Sequence, residues 1–337
     1  MAGVKVVILN WNGMEHLKKF LPSVIAATPD DIGIVVADNG SDDGSPGMLA
    51  ESFPTVEVIR LDNNYGFAKG YNLALAGLEA DCFILLNSDV ETTTGWCEPL
   101  VAALEANHEL IAVSPKIRSY RQKEYFEYAG AAGGFIDIFG YPFCRGRILS
   151  KVEKDDGQYD EARHVFWASG ACMACRKELF TEIGGFDEDF FAHMEEIDLC
   201  WRAQSHGYKI GVEPRSVVFH LGGGTLPNHS PRKIYLNYRN SLAMLYKNLP
   251  VRRFIPVFAV RVIFDFLSST VYLLKGQYGF FKSVYRAHRD FYRWRKNGLS
   301  QKRAKILSSA TTKPEGVYRG SVVLRYFFGK RTFGNLL

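Results

Sequence analysis

GGFDEDFFAHMEEIDLCWR, residues 184–202, combines six carboxylates with several large aromatic side chains. Its spacing predicts a short helix over 195–207, with acidic residues in the first turn, where the positive end of the helix dipole favours them. Asp198 and Arg202 are four residues apart and are expected to pair along one face of this helix. A carboxylate at a helix start is expected to be ionised, as a general base must be. Taken alone, the stretch favours helix capping beside a solvated acidic turn, and only the residues upstream change that interpretation.

Upstream, strand-like and helix-like segments alternate. Apolar, β-branched runs predict strands at 4–10, at IGIVVAD, at VEVIRL and at CFILLNSD, with helical spacing between them. This order predicts an α/β fold, with a mostly parallel sheet flanked by helices and joined by right-handed crossovers. Ligands of such sheets bind beyond the carboxyl ends of the strands. Polar residues fall at three of these ends: Asn10 and Trp11, Asp38 and Asn39, and Asn87 and Asp89.

The glycine pattern argues against two common nucleotide-binding folds. The first strand is not followed by G-x-G-x-x-G, and the sequence contains no G-x-x-x-x-G-K-[ST]. A dinucleotide-binding fold and a P-loop are therefore disfavoured.

Cysteine usage and the start of the chain indicate the compartment. Six cysteines occur, and the single C-x-x-C, Cys172 and Cys175, has no second pair to complete a zinc site. We expect buried, reduced thiols in a cytosolic protein. The chain enters the strand VKVVILN directly, so we expect no signal peptide.

Charge is distributed unevenly along the chain. Residues 251–337 carry 18 basic and 3 acidic residues, whereas residues 1–250 carry 23 basic and 33 acidic ones. This basic, aromatic tail indicates a polyanionic partner, and without a recognisable nucleic-acid module we expect anionic lipid and no nucleic acid.

The tail contains one stretch long enough to cross a bilayer, residues 254–274, but Arg261 and Asp265 lie near its middle. Intramembrane charge is costly, so we expect amphipathic helices in the membrane interface, with Arg261 and Asp265 paired. The alternative is a helical hairpin packed on the catalytic domain with its basic residues solvated.

Two segments in the middle are expected to complete the fold. Residues 117–160, rich in glycine and aromatics, predict short strands and a flexible loop over the rim that would serve as an acceptor lid. YKIGVEPRSVVFHLGGGT predicts a pair of late strands ending at His220 and a glycine run.

Asn87, Ser88 and Asp89 close an apolar strand at the predicted ligand rim. An amide and a carboxylate there suit a hard divalent cation bridging to substrate phosphates. An Asx turn with Asp89 as its cap is about as good an interpretation of the three residues alone. His220 is either a second metal ligand or an ordinary half-buried histidine.

Six segments, in this order and spacing, resemble the inverting, nucleotide-sugar-dependent glycosyltransferases of family 2 with the GT-A fold. The likeness is strongest to the bacterial rhamnosyltransferase-like branch and covers about residues 4–245. The segments are VVILNWNG (6–13), DNGSDDGS (38–45), NNYGFAKGYN (63–72), LLNSDV (85–90), ASGACMACRKELFTEIGGFDEDFFAHMEEIDLCWRAQSHGYKI (168–210) and VVFHLGGGT (217–225).

The resemblance implies a nucleotide-sugar site on the sheet rim. Asp38 matches the acid that recognises the base, and Trp11 takes the place of an aromatic that stacks near it. Asn64, Gly66 and Asn72 match the segment beneath the donor. Asn87 and Ser88 precede the metal-binding acid, and Asn87 replaces the first acid of the D-x-D motif.

The resemblance also implies the catalytic groups. Asp89 matches the last acid of the D-x-D motif, and His220 matches a histidine that reaches the metal or diphosphate, with Mg²⁺ or Mn²⁺ as cofactor. Glu195 and Glu196 match the Glu-Asp pair whose second member is the catalytic base. Because Glu196 is one methylene longer than the usual Asp, Glu195 is a rival for this role.

The implied function is inverting transfer of a sugar from dTDP-rhamnose or a UDP-sugar to a glycan or lipid-linked acceptor in cell-surface polysaccharide synthesis. Residues 1–245 would form the catalytic domain, and residues 246–337 a helical segment on the inner face of the cytoplasmic membrane. The alternatives are a sugar nucleotidyltransferase and a non-catalytic nucleotide-sugar-binding subunit. A nucleotidyltransferase would need a glycine-rich, basic loop after the first strand, which NWNGMEH lacks.

Overall fold

The computed structural model describes residues 3–222 and 230–336 of the chain. Strands and helices alternate through the first part as predicted: β1 (Val4–Asn10), α1 (Met14–Ala27), β2 (Gly33–Asn39), α2 (Ser45–Ser52), β3 (Glu57–Leu61), α3 (Gly66–Ala76) and β4 (Cys82–Asn87). The strands β3, β2, β1 and β4 are parallel neighbours in this order. The predicted parallel sheet and its crossover helices are therefore confirmed.

The middle of the chain extends this sheet and begins a second one. Its elements are β5 (Val90–Thr92), α4 (Glu98–Ala106), β6 (Leu110–Ser119), β7 (Gly134–Asp137), β8 (Pro142–Cys144), β9 (Arg147–Ile148), β10 (Lys151–Val152), β11 (Arg163–His164), β12 (Cys172–Arg176), α5 (Glu178–Thr181), α6 (Glu195–Ser205) and β13 (Lys209–His220). The main sheet has the order β11-β13-β6-β12-β4-β1-β2-β3, and β5 pairs with β13. β12 is antiparallel to both β4 and β6, so the added half of the sheet is mixed.

Both faces of the main sheet are buried, which explains why its strands are apolar throughout. Ile84 and Leu86 of β4 pack in the cluster on the side of α1 and α4, whereas Phe83 and Leu85 join the cluster that includes α3 and α6. The result is three layers, helix, sheet and helix. All six cysteines are free and buried, as expected.

The late strands form one element instead of the predicted pair. β13 runs from Lys209 to His220 and keeps parallel pairing with β6 through an irregularity between Glu213 and Val217. A bulge lets a strand bend without ending, so the proline inside this segment did not divide it. The predicted glycine run continues into residues 223–229, which lie outside the described residues.

After residue 230 the chain is mostly helical, as predicted. The elements are α7 (Pro231–Asn248), α8 (Val251–Leu274), α9 (Tyr278–Trp294), α10 (Ser300–Ser309), β14 (Val317–Tyr318) and α11 (Val322–Phe327). The predicted boundary between residues 245 and 246 falls inside the continuous helix α7. The chain after it also returns to the body, because β14 pairs in parallel with β7.

Residues 117–160 do not form the flexible lid that their glycines suggested. They supply β7 to β10 of a second sheet with the order β10-β9-β8-β7-β14. Phe135 and Phe143 of this sheet are buried and contact Phe333 from the last residues of the chain. The glycines serve close packing: a Cβ at Gly134 would lie 2.1 Å from the Trp167 ring.

A buried ion cluster joins the acidic stretch to the C-terminal helices. Lys247 of α7 is 1% exposed and donates to Asp187 and, at 2.9 Å, to Asp198. Asp198 also accepts from Arg202 at 2.9 Å, which confirms the predicted pair. Lys302 of α10 donates to Asp187 at 2.6 Å. Burial alone would raise the pKa of Asp187, but Lys247 and Lys302 lower it below its usual value.

Arg261 and Asp265 of α8 also pair as predicted, at 3.6 Å. Both side chains are buried against the protein. Asp265 is further contacted by His288 at 3.0 Å and by the Tyr141 hydroxyl at 3.4 Å. The two charges that argued against a membrane span therefore face the body of the protein.

Replacing Lys247 with methionine should destabilise the whole chain. The Lys247→Met variant keeps most of the side-chain volume but leaves Asp187 and Asp198 buried without their shared cation, a change that typically costs about 3–5 kcal/mol. Chemical denaturation should show this loss, with one transition for the sheet and the helices. Lys305→Met, at an exposed position on α10, is the matched control. Equal stability of the two variants would contradict the role given to the cluster.

Candidate active site

The carboxyl ends of β1, β2 and β4 lie side by side. Asn10 pairs with Asp38 in the sheet register, and Leu9 pairs with Asn87. The Asn10 amide donates to one Asp38 oxygen at 3.1 Å, and the Ser41 backbone N–H donates to the other at 3.1 Å. The polar strand ends therefore form the single rim that the sequence predicted.

The contact between Asp38 and a nucleotide base stays a prediction, and the structure shows how the rim holds this carboxylate in place. Asp38 is 2% exposed, and both of its carboxylate oxygens already accept hydrogen bonds from the protein. Its structural effect is to fix the loop that begins at Ser41.

The β1–α1 loop lies at this rim. Trp11 is 39% exposed and follows directly after Asn10. A Cβ at Gly13 would lie 2.5 Å from Asn10 Oδ1 and 3.4 Å from Ser88 Oγ, so the loop packs closely against the end of β4. Trp11 and Ser88 thus border the same part of the surface.

Asn64 and Gly66 lie at the next loop of the rim. Asn39 donates from its amide to Asn64 Oδ1 at 3.3 Å and to the Gly66 carbonyl at 3.1 Å. Gly66 has φ of 76°, and a Cβ there would lie 2.6 Å from Phe191, so only glycine fits. Gly66 thus packs against Phe191, in the segment just before α6.

Asn72 serves a different purpose from the donor contact expected of it. Its amide donates to the Phe186 carbonyl at 2.8 Å, and its oxygen accepts from the Phe186 N–H at 3.0 Å. Asn72 therefore holds the loop that leads to α6, and its polar atoms are already used.

Asp89 and His220 meet at the other side of the rim. His220 Nε2 lies 3.1 Å from Asp89 Oδ1 and 3.4 Å from the Asn87 amide nitrogen. Backbone pairing enforces the contact, because His220 is opposite Val90 in the β13–β5 ladder. Burial alone would raise the pKa of Asp89, but the charge of His220 lowers it.

Glu127 is a member of this group that sequence reasoning missed. It is buried, and its Oε2 lies 3.4 Å from His220 Nδ1. Burial disfavours the His220 cation, but Glu127 and Asp89 together raise the pKa of His220 to about 10. In RQKEYFEYAG nothing distinguishes Glu127 from Glu124, so only the fold identifies it.

Glu195 and Glu196 begin α6, as predicted, but their environment is less polar than expected. Glu195 is buried, Glu196 is half-buried, and one carboxylate oxygen of each has no partner among the described residues. Burial, together with the neighbouring Glu196 charge, raises the pKa of Glu195 well above its usual value. Burial raises the pKa of Glu196 to about 7. The expectation that the helix start keeps these groups ionised was wrong, because desolvation outweighs the helix dipole here.

The chain enters α6 through a strained loop. Phe191, His193 and Met194 have φ of 65°, 71° and 74°, which is rare outside glycine. Asn240 of α7, which is buried, donates from its amide to the carbonyls of Ala192 and His193 at 2.9 and 2.8 Å. Strain of this kind is typical of functional sites, and sequence patterns do not reveal it.

The turn before β12 connects the two groups of acids. The Asn87 N–H donates to the Ala171 carbonyl at 3.0 Å. A Cβ at Gly170 would lie 3.9 Å from the Cβ of Glu196. This turn therefore lies beside both Asn87, at the end of β4, and Glu196, in the first turn of α6. By contrast, Asp187 and Asp198 are taken up by the ion cluster around Lys247.

The rim thus carries an ionised carboxylate beside a histidine of raised pKa, and a carboxylate with a pKa of about 7 lies beside the turn before β12. The first pair provides oxygen and nitrogen ligands of the kind that divalent cations accept. The second group is able to take up a proton near pH 7. Among residues 3–222 and 230–336, there is no cluster of three or more Asp, Glu, His or Cys side chains that could hold a metal ion.

Comparison with known sequences identifies the family. Residues 5–184 match the profile of Glycosyl transferase family 2. A curated relative, the N-acetylglucosaminyl-diphospho-decaprenol L-rhamnosyltransferase of Mycobacterium tuberculosis, is 28% identical over 230 residues, which cover 64% of this chain and 75% of the relative. The dTDP-rhamnosyl transferase RfbF of Shigella flexneri is 24% identical over 262 residues, covering 73% and 81%.

Solved structures share the fold. GalNAc-T7 with UDP, GalNAc and Mn²⁺ superposes with a TM-score of 0.56 at 19% identity, covering 73% of this chain and 48% of that one. The mannosyltransferase PcManGT from Pyrobaculum calidifontis, with GDP-Man and Mn²⁺, gives 0.50 at 13% identity, covering 97% and 87%. The predicted GT-A architecture is thereby confirmed.

The family match disfavours both alternatives, the nucleotidyltransferase and the non-catalytic binding subunit, because it covers β1 to β4 and the rim residues from Asn10 to Asp89. With its GT-A fold and this match over more than half of its length, the chain is a glycosyltransferase and belongs to glycosyl transferase family 2.

Proposed function

We propose that the protein transfers a sugar, with inversion, from a nucleoside-diphosphate sugar to an acceptor hydroxyl in cell-surface glycan synthesis. The observation that carries this proposal is the turn at Gly170 and Ala171, which lies beside both Glu196 and Asn87, the residue two before Asp89. A donor whose diphosphate lies at Asp89 would present its anomeric carbon towards Glu196. The name of one relative, a dTDP-rhamnosyl transferase, favours dTDP-rhamnose over a UDP-sugar as the donor.

Trp11, Ser88 and Asn87 supply the donor groove, with Asn64 and Gly66 forming the adjacent loop. Trp11 offers an exposed ring for stacking against a base. Asp38 supports the groove indirectly, because its carboxylate holds the loop that begins at Ser41. Asn72 supports it through its hydrogen bond with the Phe186 backbone.

A divalent cation, Mg²⁺ or Mn²⁺, fits the Asp89–His220 pair. Asp89 Oδ1 and His220 Nε2 lie 3.1 Å apart, and this carboxylate oxygen and imidazole nitrogen would be the protein ligands that hold such an ion. Since the pair offers two ligands, diphosphate oxygens of the donor would supply others. Such an ion stabilises the negative charge of the departing nucleoside diphosphate.

Glu196 acts as the base. Its carboxylate takes the proton of the acceptor hydroxyl while the hydroxyl oxygen forms a bond to the anomeric carbon. The bond from that carbon to the diphosphate oxygen breaks, and the nucleoside diphosphate leaves with the electron pair. Glu195 is more deeply buried, and burial raises its pKa well above its usual value, so it is less suited to this step.

Replacing Glu196 with glutamine should abolish transfer without weakening donor binding. Loss of a general base typically costs about 10²–10⁴-fold in rate. Transfer from dTDP-rhamnose and UDP-sugars to a lipid-linked N-acetylglucosaminyl diphosphate, measured with Mn²⁺, tests the rate. Thermal shift with dTDP or UDP tests donor binding. Glu195→Gln is the matched control, and a larger loss in that variant would transfer the role of base to Glu195.

The same substitution should stabilise the fold at high pH. The unfolded chain releases the Glu196 proton near pH 4.5, whereas the folded chain holds it until about pH 7. Stability is therefore lost between these two pH values, and the full penalty, on the order of 2 kcal/mol, applies above pH 7. Glu196→Gln should match the wild type below pH 4.5 and exceed it at pH 8 in urea denaturation. A constant difference across this range would refute the raised pKa.

We also propose that the protein works at an anionic membrane surface, on the inner face of the cytoplasmic membrane. The α8 apolar face consists of exposed side chains from one end of the helix to the other: Val251, Ile255, Val262, Ile263, Phe266, Leu267, Val271, Leu273 and Leu274. Between Arg253 and Lys275 the charged residues of this helix are Arg261 and Asp265, and both are buried on the opposite side. By length and composition α8 could cross a membrane, but its charged stripe is packed against the protein. If α8 lies in the plane of the membrane interface, its apolar face contacts lipid while Arg261 and Asp265 stay packed against the protein.

Basic residues surround the α8 apolar face. Arg252, Arg253 and Lys275 are exposed at its two ends. The helix α9 forms a hairpin with α8 through the ring pair Phe258–Tyr292, with centroids 6.0 Å apart. Exposed cations on α9 are Lys282, Arg286, Arg289 and Arg293. An apolar face flanked by cations matches an anionic lipid surface.

Placing a carboxylate on the α8 apolar face should release the protein from membranes. Phe266 is 67% exposed, so Phe266→Glu should leave the fold intact. Wild type should sediment with vesicles of phosphatidylglycerol and phosphatidylcholine more than with phosphatidylcholine alone, and the variant should bind about tenfold or more weakly. Leu73→Glu, an exposed leucine on α3, is the control. Self-association through α8 with no vesicle binding would contradict this proposal.

A further inference from the structure

Glu127 is a buried acid that the transfer step described above does not use. It follows β6, where its backbone N–H donates to the Ile117 carbonyl at 3.0 Å. Its side chain is 8% exposed, and Oε2 accepts a hydrogen bond from the Ala129 N–H. A carboxylate in this position needs more than one backbone donor to offset its desolvation.

The partner that Glu127 faces is His220. Glu127 Oε2 lies 3.4 Å from His220 Nδ1, and the contact is electrostatic because Nδ1 has no hydrogen bond within the described residues. On the opposite edge of the ring, His220 Nε2 faces Asp89 at 3.1 Å and Asn87 at 3.4 Å. The imidazole is thus held between one carboxylate behind it and one at the rim.

The surrounding backbone is shaped to keep this contact. Gly222 has φ of 72°, and a Cβ there would lie 2.9 Å from Glu127 Oε1. The chain therefore turns past the glutamate immediately after His220. The Ser169 hydroxyl donates to the Ala129 carbonyl at 2.6 Å, which ties the Glu127 loop to the turn beside Glu196.

We propose that Glu127 is a positioning residue that orients His220 towards the divalent cation. A carboxylate facing Nδ1 keeps the hydrogen on that atom, so that a bound cation would displace the proton of Nε2, the nitrogen that lies at the rim beside Asp89. Glu127 touches neither the substrate nor the ion in this role. The inference rests on the cation site of the proposed function and extends it by one residue.

The alternative role is purely structural, with Glu127 serving only to fix its own turn at Ala129. Glu127→Gln separates the two roles, because the amide oxygen still accepts from Ala129 while the charge that faces Nδ1 is lost. A structural role predicts a change in melting temperature alone. A positioning role predicts a change in ion affinity at an unchanged melting temperature.

The test is Mn²⁺ alone titrated into the purified full chain, with free Mn²⁺ measured by electron paramagnetic resonance. Glu127→Gln should weaken Mn²⁺ binding about 10–100-fold, as loss of a supporting carboxylate typically does. Should that variant fail to fold, Glu127→Asp, which withdraws the charge by one methylene, should give a loss in the same direction. Glu213→Gln is the matched control, since Glu213 is also buried and paired with a cation, Arg215, but lies seven residues away along β13.

Mn²⁺ binding by the Asp89 and His220 variants shows whether a failure concerns Glu127 alone or the proposed cation site. If Asp89→Asn and His220→Ala lose Mn²⁺ while Glu127→Gln and Glu127→Asp bind it as the wild type does, Glu127 is structural and the inference is overturned. If Asp89→Asn and His220→Ala also bind as the wild type does, the cation site itself is misassigned, and both the inference and that part of the proposed function fail.

Discussion

The antiparallel pairing of β12 with β4 determines where the two halves of the active site meet. Cys172 is opposite Leu86, so the turn before β12 lies at the carboxyl end of β4, and Ala171 bonds directly to Asn87. The main chain then passes through α5 and the acidic stretch, and α6 returns so that Glu196 lies over Gly170. A slip of one residue in this ladder would send every side chain of β12 to the opposite face and remove the contact between turn and rim. The register of one short strand therefore fixes the position of the turn that lies beside both Asn87 and Glu196.

Acidic residues that are close together in the sequence differ in the direction of their pKa shifts, because some have cationic partners and others do not. Asp187 and Asp198 are buried beside Lys247, and Lys302 also reaches Asp187, so these carboxylates are compensated. Glu195 and Glu196 lie in the same stretch, yet their buried oxygens have no partner among the described residues, and burial raises their pKa values. Buried carboxylates without a partner lower the free energy of unfolding. Groups with strongly shifted pKa values of this kind are concentrated at functional sites. Asp187 and Asp198 thus anchor the C-terminal helices. The buried oxygens of Glu195 and Glu196 suit the proton transfer proposed above.

The sequence was sufficient for features that depend on local pattern. It predicted the first four strands, the helices between them, the polar rim and the Asp198–Arg202 pair, because apolar periodicity and four-residue spacing express them directly. It could not show that Asp38 is enclosed by Asn10 and Ser41, since burial is set by contacts distant in the chain. The same reason explains the wrong ionisation state expected of Glu196 and the missed role of Glu127. The glycines of residues 117–160 suggested mobility, whereas each close approach, such as Gly134 to Trp167, requires a glycine for tight packing.

The polarity of α8 gives a physical reason why a transferase of this kind would carry its basic tail. In a water-soluble protein a helix normally buries its apolar stripe and exposes its charges, yet α8 buries Arg261 and Asp265 and exposes Ile263 and Phe266. Arg261 and Asp265 are satisfied inside by one another, and Asp265 also by His288, so solvent is not needed to stabilise them. The exposed side is stabilised only when an apolar medium covers it. If the acceptor hydroxyl belongs to a lipid-linked saccharide, contact of α8 with the bilayer turns the search for acceptor from three dimensions into two.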